Sequence, residues 1–159
     1  MDGRILLTAV ALATLGPAAP ASQAAPASWI GVATPKSAKP GKAFKVTARA
    51  SFDPRRHAPP RRYLAAGVWR HRGDDPCSRS VPIDRRGWTQ VGNVATFMPR
   101  GGPSDAYAFD LLDTTVTLRV TGAYRHCGYV YELRYSGTSY KPDYGVLATS
   151  SALTRARRG

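Results

Sequence analysis

The segment Gly122-Ala123-Tyr124-Arg125-His126-Cys127-Gly128-Tyr129-Val130 decides the fold class that the sequence predicts. It contains one of the two cysteines, and its side chains alternate as they do along an extended strand, where neighbours point to opposite faces. One face carries Cys127 and Tyr129, and the other carries Tyr124 and His126. We therefore expect Cys127 to point into a core and His126 to lie at the surface.

The same alternation appears on both sides of this segment. Between Lys42 and Phe52 the apolar residues recur at every second position, which is typical of a half-buried strand. Glycine (15) and proline (13) are frequent and Glu132 is the single glutamate, which favours strands joined by turns over helices. The predicted strands are an edge strand at 29–32, then 42–52, a central strand at 63–70, a hairpin at 87–98 turning at Gly92-Asn93, 106–112 ended by Asp113, 115–121, the opening segment, and 144–153.

The first 24 residues have the features of an export signal. Asp2 and Arg4 form a weak charged region, an apolar run covers 5–15, and Ser22-Gln23-Ala24 is a small-x-small cleavage site. The run is too short to cross a bilayer, which needs about 20 residues. An ordinary N-terminal helix is the alternative. The predicted organisation is a signal peptide at 1–24, an edge segment and linker at 25–41, a β-sandwich at 42–154 and a basic tail at 155–159.

In an exported chain, an even number of cysteines predicts a disulfide, here between Cys77 and Cys127. Its position on the apolar face suits Cys127 to a structural role. Two free thiols are the alternative.

The opening segment resembles the penultimate strand of uncharacterised exported bacterial proteins that contain an immunoglobulin-like sandwich. Those proteins carry a Gly-x-Tyr-Arg-x-Cys-(Gly/Ala)-Tyr-aliphatic strand, an earlier strand similar to Pro40–Thr47, and a Pro-Cys pair like Pro76-Cys77. The resemblance implies an all-β, antiparallel immunoglobulin-like sandwich of about seven or eight strands, a secreted location and one disulfide. It implies no reaction.

Two positions depart from antibody-like domains. The tyrosine of the usual corner lies two residues before the second cysteine, where this chain has Arg125. Tyr124 lies one residue earlier, so the pattern does not predict the corner hydrogen bond. Trp69 is the candidate for the buried tryptophan of the third strand.

The charge pattern points to binding. The formal net charge is +13, from 23 Lys and Arg against 10 Asp and Glu. Arginine suits bidentate capture of phosphate or carboxylate, so the expected partner is an acidic cell-envelope polymer or a surface protein, and nucleic acid is not expected outside the cell. A GC-rich genome, or a basic surface without a dedicated ligand, is the alternative. The candidate binding residues are Arg55, Arg56, Arg61, Arg62, Arg85 and Arg86.

Motifs for catalysis are missing from the sequence. His126 and Cys127 are adjacent on a strand, so they point apart and form no dyad. The chain has no Gly-x-Ser-x-Gly elbow and no His-x-x-x-His pair, so neither a catalytic residue nor a metal or other cofactor is predicted. We therefore expect a secreted, non-enzymatic module without a transmembrane segment in its mature form. A small secreted enzyme or enzyme inhibitor, and a structural domain of an envelope assembly, are the alternatives.

Overall fold

The protein is all-β throughout the part of the chain that its computed structural model describes, which is residues 28–52, 62–97, 107–134 and 143–158. These ranges contain nine strands and no helix. The predicted signal peptide lies outside them. The strands are β1 (Trp29–Ala33), β2 (Ser37–Ala38), β3 (Ala43–Phe52), β4 (Arg62–Arg72), β5 (Trp88–Gln90), β6 (Ala95–Phe97), β7 (Tyr107–Thr117), β8 (Gly122–Arg134) and β9 (Asp143–Ala156).

The strands form two sheets. The small sheet has the order β1-β3-β7, and the large sheet has the order β2-β9-β8-β4-β5, with β6 also paired to β4. Every pair is antiparallel except β2 with β9. The opening segment of the sequence lies in β8, which pairs with β9 along its whole length and with β4 from Tyr124 to Arg134. β8 is therefore the centre of the large sheet.

The inner face of the large sheet packs on the small sheet. Leu64 and Ala66 of β4 and Val130 of β8 cluster with Ile30, Ala50 and Phe52 of the small sheet. Gly128 allows β1 to approach β8 closely. A Cβ atom at this position would lie 2.8 Å from Cδ1 of Ile30 and 2.6 Å from Cγ2 of Val32, closer than carbon atoms pack.

The outer face of the large sheet carries a second apolar core. Trp69, Tyr129 and Tyr131 lie there with Cys127, which is 0% exposed. The chain between β4 and β6, which is irregular apart from β5, covers them with Cys77, Val81, Ile83, Trp88 and Val94. The disulfide Cys77–Cys127 and a hydrogen bond from Tyr129 Oη to the carbonyl of Ser78 (3.1 Å) attach this covering segment to β8.

The disulfide and the buried position of Cys127 are thus confirmed. The core that contains them is the outer one, under the covering segment, and Trp69 lies in the same layer. In antibody-like domains the disulfide lies between the sheets. Here one of its cysteines comes from an irregular segment instead of a strand.

The predicted hairpin at Gly92-Asn93 is wrong. β5 and β6 are both antiparallel to β4, so they run in the same direction along one of its edges. Val91 N donates to the carbonyl of Val68 (2.8 Å) and holds the chain to β4 between them. Leu112 occupies the space beside Gly92, where a Cβ atom would lie 2.2 Å from Leu112 Cδ1.

The predicted strand end at Asp113 is also wrong. β7 continues through it to Thr117, because the Asp113 carboxylate points outward to Lys45 Nζ (2.9 Å) and the β-branched residues that follow favour extended backbone. The chain then turns at 118–121. The strand predicted at 115–121 therefore ends early, and of the apolar residues in the turn Leu118 is buried whereas Val120 is 50% exposed.

Two segments that the sequence placed outside the sandwich belong to the sheets. The predicted linker contains β2, and β9 continues to Ala156, two residues beyond the predicted boundary of the sandwich. Arg157 N, in the predicted basic tail, donates to the carbonyl of Ala38 (3.0 Å).

Breaking the Cys77–Cys127 disulfide should destabilise the protein strongly. Its cysteines are 50 residues apart, and the chain-entropy model assigns about 4 kcal/mol to a loop of this size. We expect a reductant to lower the midpoint of guanidinium unfolding by the corresponding amount. The double variant Cys77→Ala and Cys127→Ala should unfold at the lower midpoint with or without reductant. An unchanged wild-type midpoint, with reduction verified by alkylation and intact mass, would contradict this prediction.

Candidate functional site

A short turn at one end of the sandwich is held from two sides. Tyr124 Oη donates to the carbonyl of Val120 (2.9 Å), and Arg72 Nη2 donates to the carbonyl of Thr121 (3.1 Å). The first of these is a tyrosine-corner hydrogen bond, which the sequence pattern did not predict. Tyr124 forms it from the inner face of β8, on the opposite side from Cys127. The turn at 118–121 is therefore fixed to the large sheet.

Two further segments meet this turn. Gly41 N donates to the carbonyl of Leu118 (2.8 Å), which joins the chain before β3 to the turn. Arg155 N donates to the carbonyl of Lys36 (3.0 Å), which joins the end of β9 to the chain around β2. Beneath these junctions Leu118, Tyr124 and Ala156 form a buried apolar cluster.

The three segments bring together basic residues that are far apart in sequence. We call this surface the basic end. All of its basic side chains are exposed, and none takes part in the ion pairs of the described ranges, which join Lys45 to Asp113 and Arg49 to Asp110. Its members are Lys36, Lys39, Lys42, Arg119, Arg155, Arg157 and Arg158.

The arginines nominated from the sequence are placed differently. Arg55, Arg56 and Arg61 lie outside the described residues. Arg62 begins β4, whereas Arg85 and Arg86 lie in the covering segment near the other end of β4, where Trp88 pairs with His71. Arg85 Nη1 donates to Ser78 Oγ (2.9 Å) and its guanidinium lies 6.0 Å from the centre of the Trp88 ring. The backbone thus separates Arg62 from Arg85 and Arg86.

The prediction that His126 lies at the surface is wrong. Its side chain is 0% exposed, because the small sheet covers the inner face of β8, and its ring packs edge-on against Phe44 at 6.2 Å between ring centres. Neither ring nitrogen has a hydrogen-bond partner. Burial, with a smaller contribution from the charge of Arg70, lowers the pKa of His126 to about 4. The imidazole is therefore neutral near pH 7.

Arg70 lies opposite this histidine in the large sheet, and its charge acts on it. It pairs with His126 across β4 and β8, and its guanidinium lies 5.9 Å from the centre of the Tyr124 ring. Partial burial lowers the pKa of Arg70. The cation is placed over an aromatic face, which attracts positive charge. The arrangement stabilises a cation at the rim of the inner core and disfavours a second one on His126.

A groove of about 280 Å³ lies beside the disulfide. Arg125 crosses it, donating from Nη2 to the carbonyl of Asp74 and from Nη1 to Ser151 Oγ (3.3 Å). Outside this groove, the His71 ring packs against the Trp88 ring at an angle of 45°, with 4.3 Å between ring centres. In the described ranges no group of three or more His, Cys, Asp or Glu side chains is placed to hold a metal ion. The same ranges hold no helix long and apolar enough to span a membrane.

No protein-family model and no curated protein matches the chain. Among solved structures, a superoxide reductase (neelaredoxin) from Ignicoccus hospitalis is 15% identical, with 80% of each chain covered and a TM-score of 0.36. The CARDB domain of a Pyrococcus furiosus protein is 13% identical, with 84% of this chain and 98% of that chain covered and a TM-score of 0.36. At these scores the two likenesses carry no argument about function.

Acid should destabilise the protein through His126. Its pKa is about 4 in the folded state and 6.5 in an ordinary environment, so the unfolded chain takes up the proton first as the pH falls. The free energy of unfolding that depends on neutral His126 is fully present above pH 6.5 and is lost as the pH falls towards 4. A pKa difference of this size corresponds to a loss of about 3 kcal/mol.

The variant His126→Leu removes the titrating group and two buried nitrogens without partners. We expect its free energy of unfolding, from urea titrations, to fall less than that of the wild type between pH 7 and pH 4.5. The control Val130→Ala, which changes a buried residue on the same face of β8 without altering a titrating group, should keep the wild-type pH dependence. Equal pH dependence of His126→Leu and wild type would exclude His126 as the cause.

Proposed function

We propose that this chain is an exported, non-enzymatic immunoglobulin-like module that binds an acidic cell-envelope polymer or surface protein. The strand order supports the immunoglobulin-like assignment. The small sheet joins β1, β3 and β7 in the order of strands A, B and E of such domains, and β9, β8 and β4 follow the order G, F and C. The hydrogen bond from Tyr124 to Val120 supports it as well.

The observation that carries the binding function is the basic end. A chain with a net charge of +13 exposes seven cations on one surface without an ion pair to any of them in the described ranges. Unneutralised charge of one sign raises the local concentration of an oppositely charged ligand and speeds its association. A polyanion is the ligand class that this surface attracts.

Export is supported by the N-terminal sequence and by the disulfide. Disulfides persist in oxidising compartments and are rare in the cytosol. Acidic polymers of the envelope are the polyanions that an exported basic module would meet.

The export proposal has a direct test. We expect a bacterial host that expresses the full chain to release a protein that begins at Ala25, with a mass lower than that of the reduced form by two hydrogen atoms. A variant lacking residues 1–24 should remain in the cytoplasm with both thiols reduced. Recovery of the full-length protein inside the cell, starting at Met1, would contradict export.

Polyanion binding should be saturable and sensitive to salt. Each contact between a cation and a polymer charge releases counterions, so affinity falls steeply with ionic strength. We expect fluorescence anisotropy to detect binding of labelled polyphosphate or poly-L-glutamate at about 50 mM salt and its loss at about 500 mM. Neutral dextran is the control. Equal affinity for dextran, or polyanion affinity that does not change with salt, would contradict the proposal.

A further inference from the structure

We infer that the basic end is the surface that binds, and that its ligand is a linear polyanion whose phosphate or carboxylate groups repeat along one chain. The inference rests on the proposed function and deepens it, because it replaces the arginine-rich loops nominated by the sequence with a different surface.

The three backbone segments of the basic end converge at one end of the sandwich. Backbone hydrogen bonds of 2.8 to 3.1 Å join the three segments of the basic end to one another or close a turn within them. Ser37 and Ala38 of β2 pair with Arg155 and Ala156 of β9, and Ala156 pairs in turn with Gly122 of β8. Neighbouring strands lie about 4.8 Å apart, so cations at these strand ends stand within roughly 15 Å of each other. Several charges of one polymer chain can reach them at once.

The backbone of the basic end is fixed before a ligand binds. Tyr124 and Arg72 hold the turn that carries Arg119, and Leu118 and Ala156 anchor the flanking backbone in the buried cluster. Ordering flexible loops on binding costs free energy, and a fixed backbone lowers that cost. When the ligand binds, only the long basic side chains have to be ordered.

The carboxylates that form ion pairs in the described ranges are paired with cations outside the basic end. Asp110 and Asp113 form these ion pairs with Arg49 and Lys45 on β3. Neither carboxylate therefore occupies a cation of the basic end.

The composition of the surface favours a polymer over a protein partner. Protein interfaces depend on buried aromatic and aliphatic anchors. The exposed large apolar side chains of the described ranges are Trp29 and Val120, and of these only Val120 lies at the basic end. Trp29 pairs with Ser51, at the other end of β3. Charge without an apolar anchor matches a hydrated polyanion.

The test compares two triple variants of identical composition, each losing one lysine and two arginines. Both retain the backbone hydrogen bonds, since only exposed side chains change. The end variant is Lys39→Gln, Arg119→Gln and Arg157→Gln. The control variant is Lys45→Gln, Arg49→Gln and Arg79→Gln. A third variant, Arg85→Gln with Arg86→Gln, examines the loop nominated by the sequence.

Labelled polyphosphate and poly-L-glutamate are the probes, so that phosphate and carboxylate polymers are distinguished. We expect the end variant to bind at least about tenfold more weakly than the wild type at low salt, with its log–log salt dependence reduced by about two to three. The control variant should change affinity by less than about threefold through net charge alone. Unfolding midpoints and the intact disulfide verify that each variant is folded.

The outcomes separate the two proposals. If the wild type binds neither the polyanions nor acidic proteins in a salt-dependent manner, the proposed function fails and this inference fails with it. If the wild type binds and the end variant matches the control variant, the inference is overturned while the function stands. Loss of binding in the Arg85 and Arg86 variant alone would assign the site to the covering segment. Salt-dependent binding to acidic proteins but to neither polymer would also overturn the inference.

Discussion

The structure depends on the burial of β8 on both of its faces. β8 pairs with a strand on either side, and apolar layers pack above and below it. The small sheet supplies the inner layer, whereas in the part of the chain that the structure describes no second sheet covers the outer face. The covering segment does so instead, and it has few strand hydrogen bonds of its own. The Cys77–Cys127 bond and the hydrogen bond from Tyr129 to Ser78 therefore hold a layer that backbone pairing alone would leave loosely attached. Without that layer, Trp69, Tyr129 and Tyr131 would face water.

Burial on both faces has a cost at His126. A strand that is half exposed can place polar residues on its wet side, but β8 has no wet side at this position. The imidazole is kept neutral and makes no hydrogen bond, which costs free energy relative to an apolar side chain of similar shape. Nearby Tyr124 avoids the cost of an unpaired polar group, because its ring packs in the core while its hydroxyl donates to the carbonyl of Val120. The same face thus carries one satisfied and one unsatisfied polar group.

The sequence predicted the strands that are marked by local alternation of apolar and polar residues. It failed for features that depend on packing or pairing with elements distant in the chain. Period-two patterns located β3 and β8, and the cysteine count located the disulfide. The pattern around His126 could not show that both faces were covered, because the covering layers come from β1, β3 and the covering segment, which are all distant in the chain. Gly92-Asn93 satisfied the local chemistry of a tight turn, yet pairing with β4 determined the path of the chain. Adjacent arginines are visible in a sequence, whereas Lys36 and Arg155 become neighbours only through the parallel pairing of β2 with β9.

The same constraint explains where the positive charge is found. Because both faces of β4 and β8 are covered along the middle of these strands, Arg70 is partly buried there and lies over the Tyr124 ring, whereas Arg72 at the end of β4 is exposed. The outer face of the small sheet accepts cations, but there Lys45 and Arg49 meet Asp113 and Asp110. The ends of strands are the positions left for unpaired charge. The tyrosine-corner bond and the β2–β9 pairing collect three such ends at one place, so the interactions that close the fold also assemble the basic end.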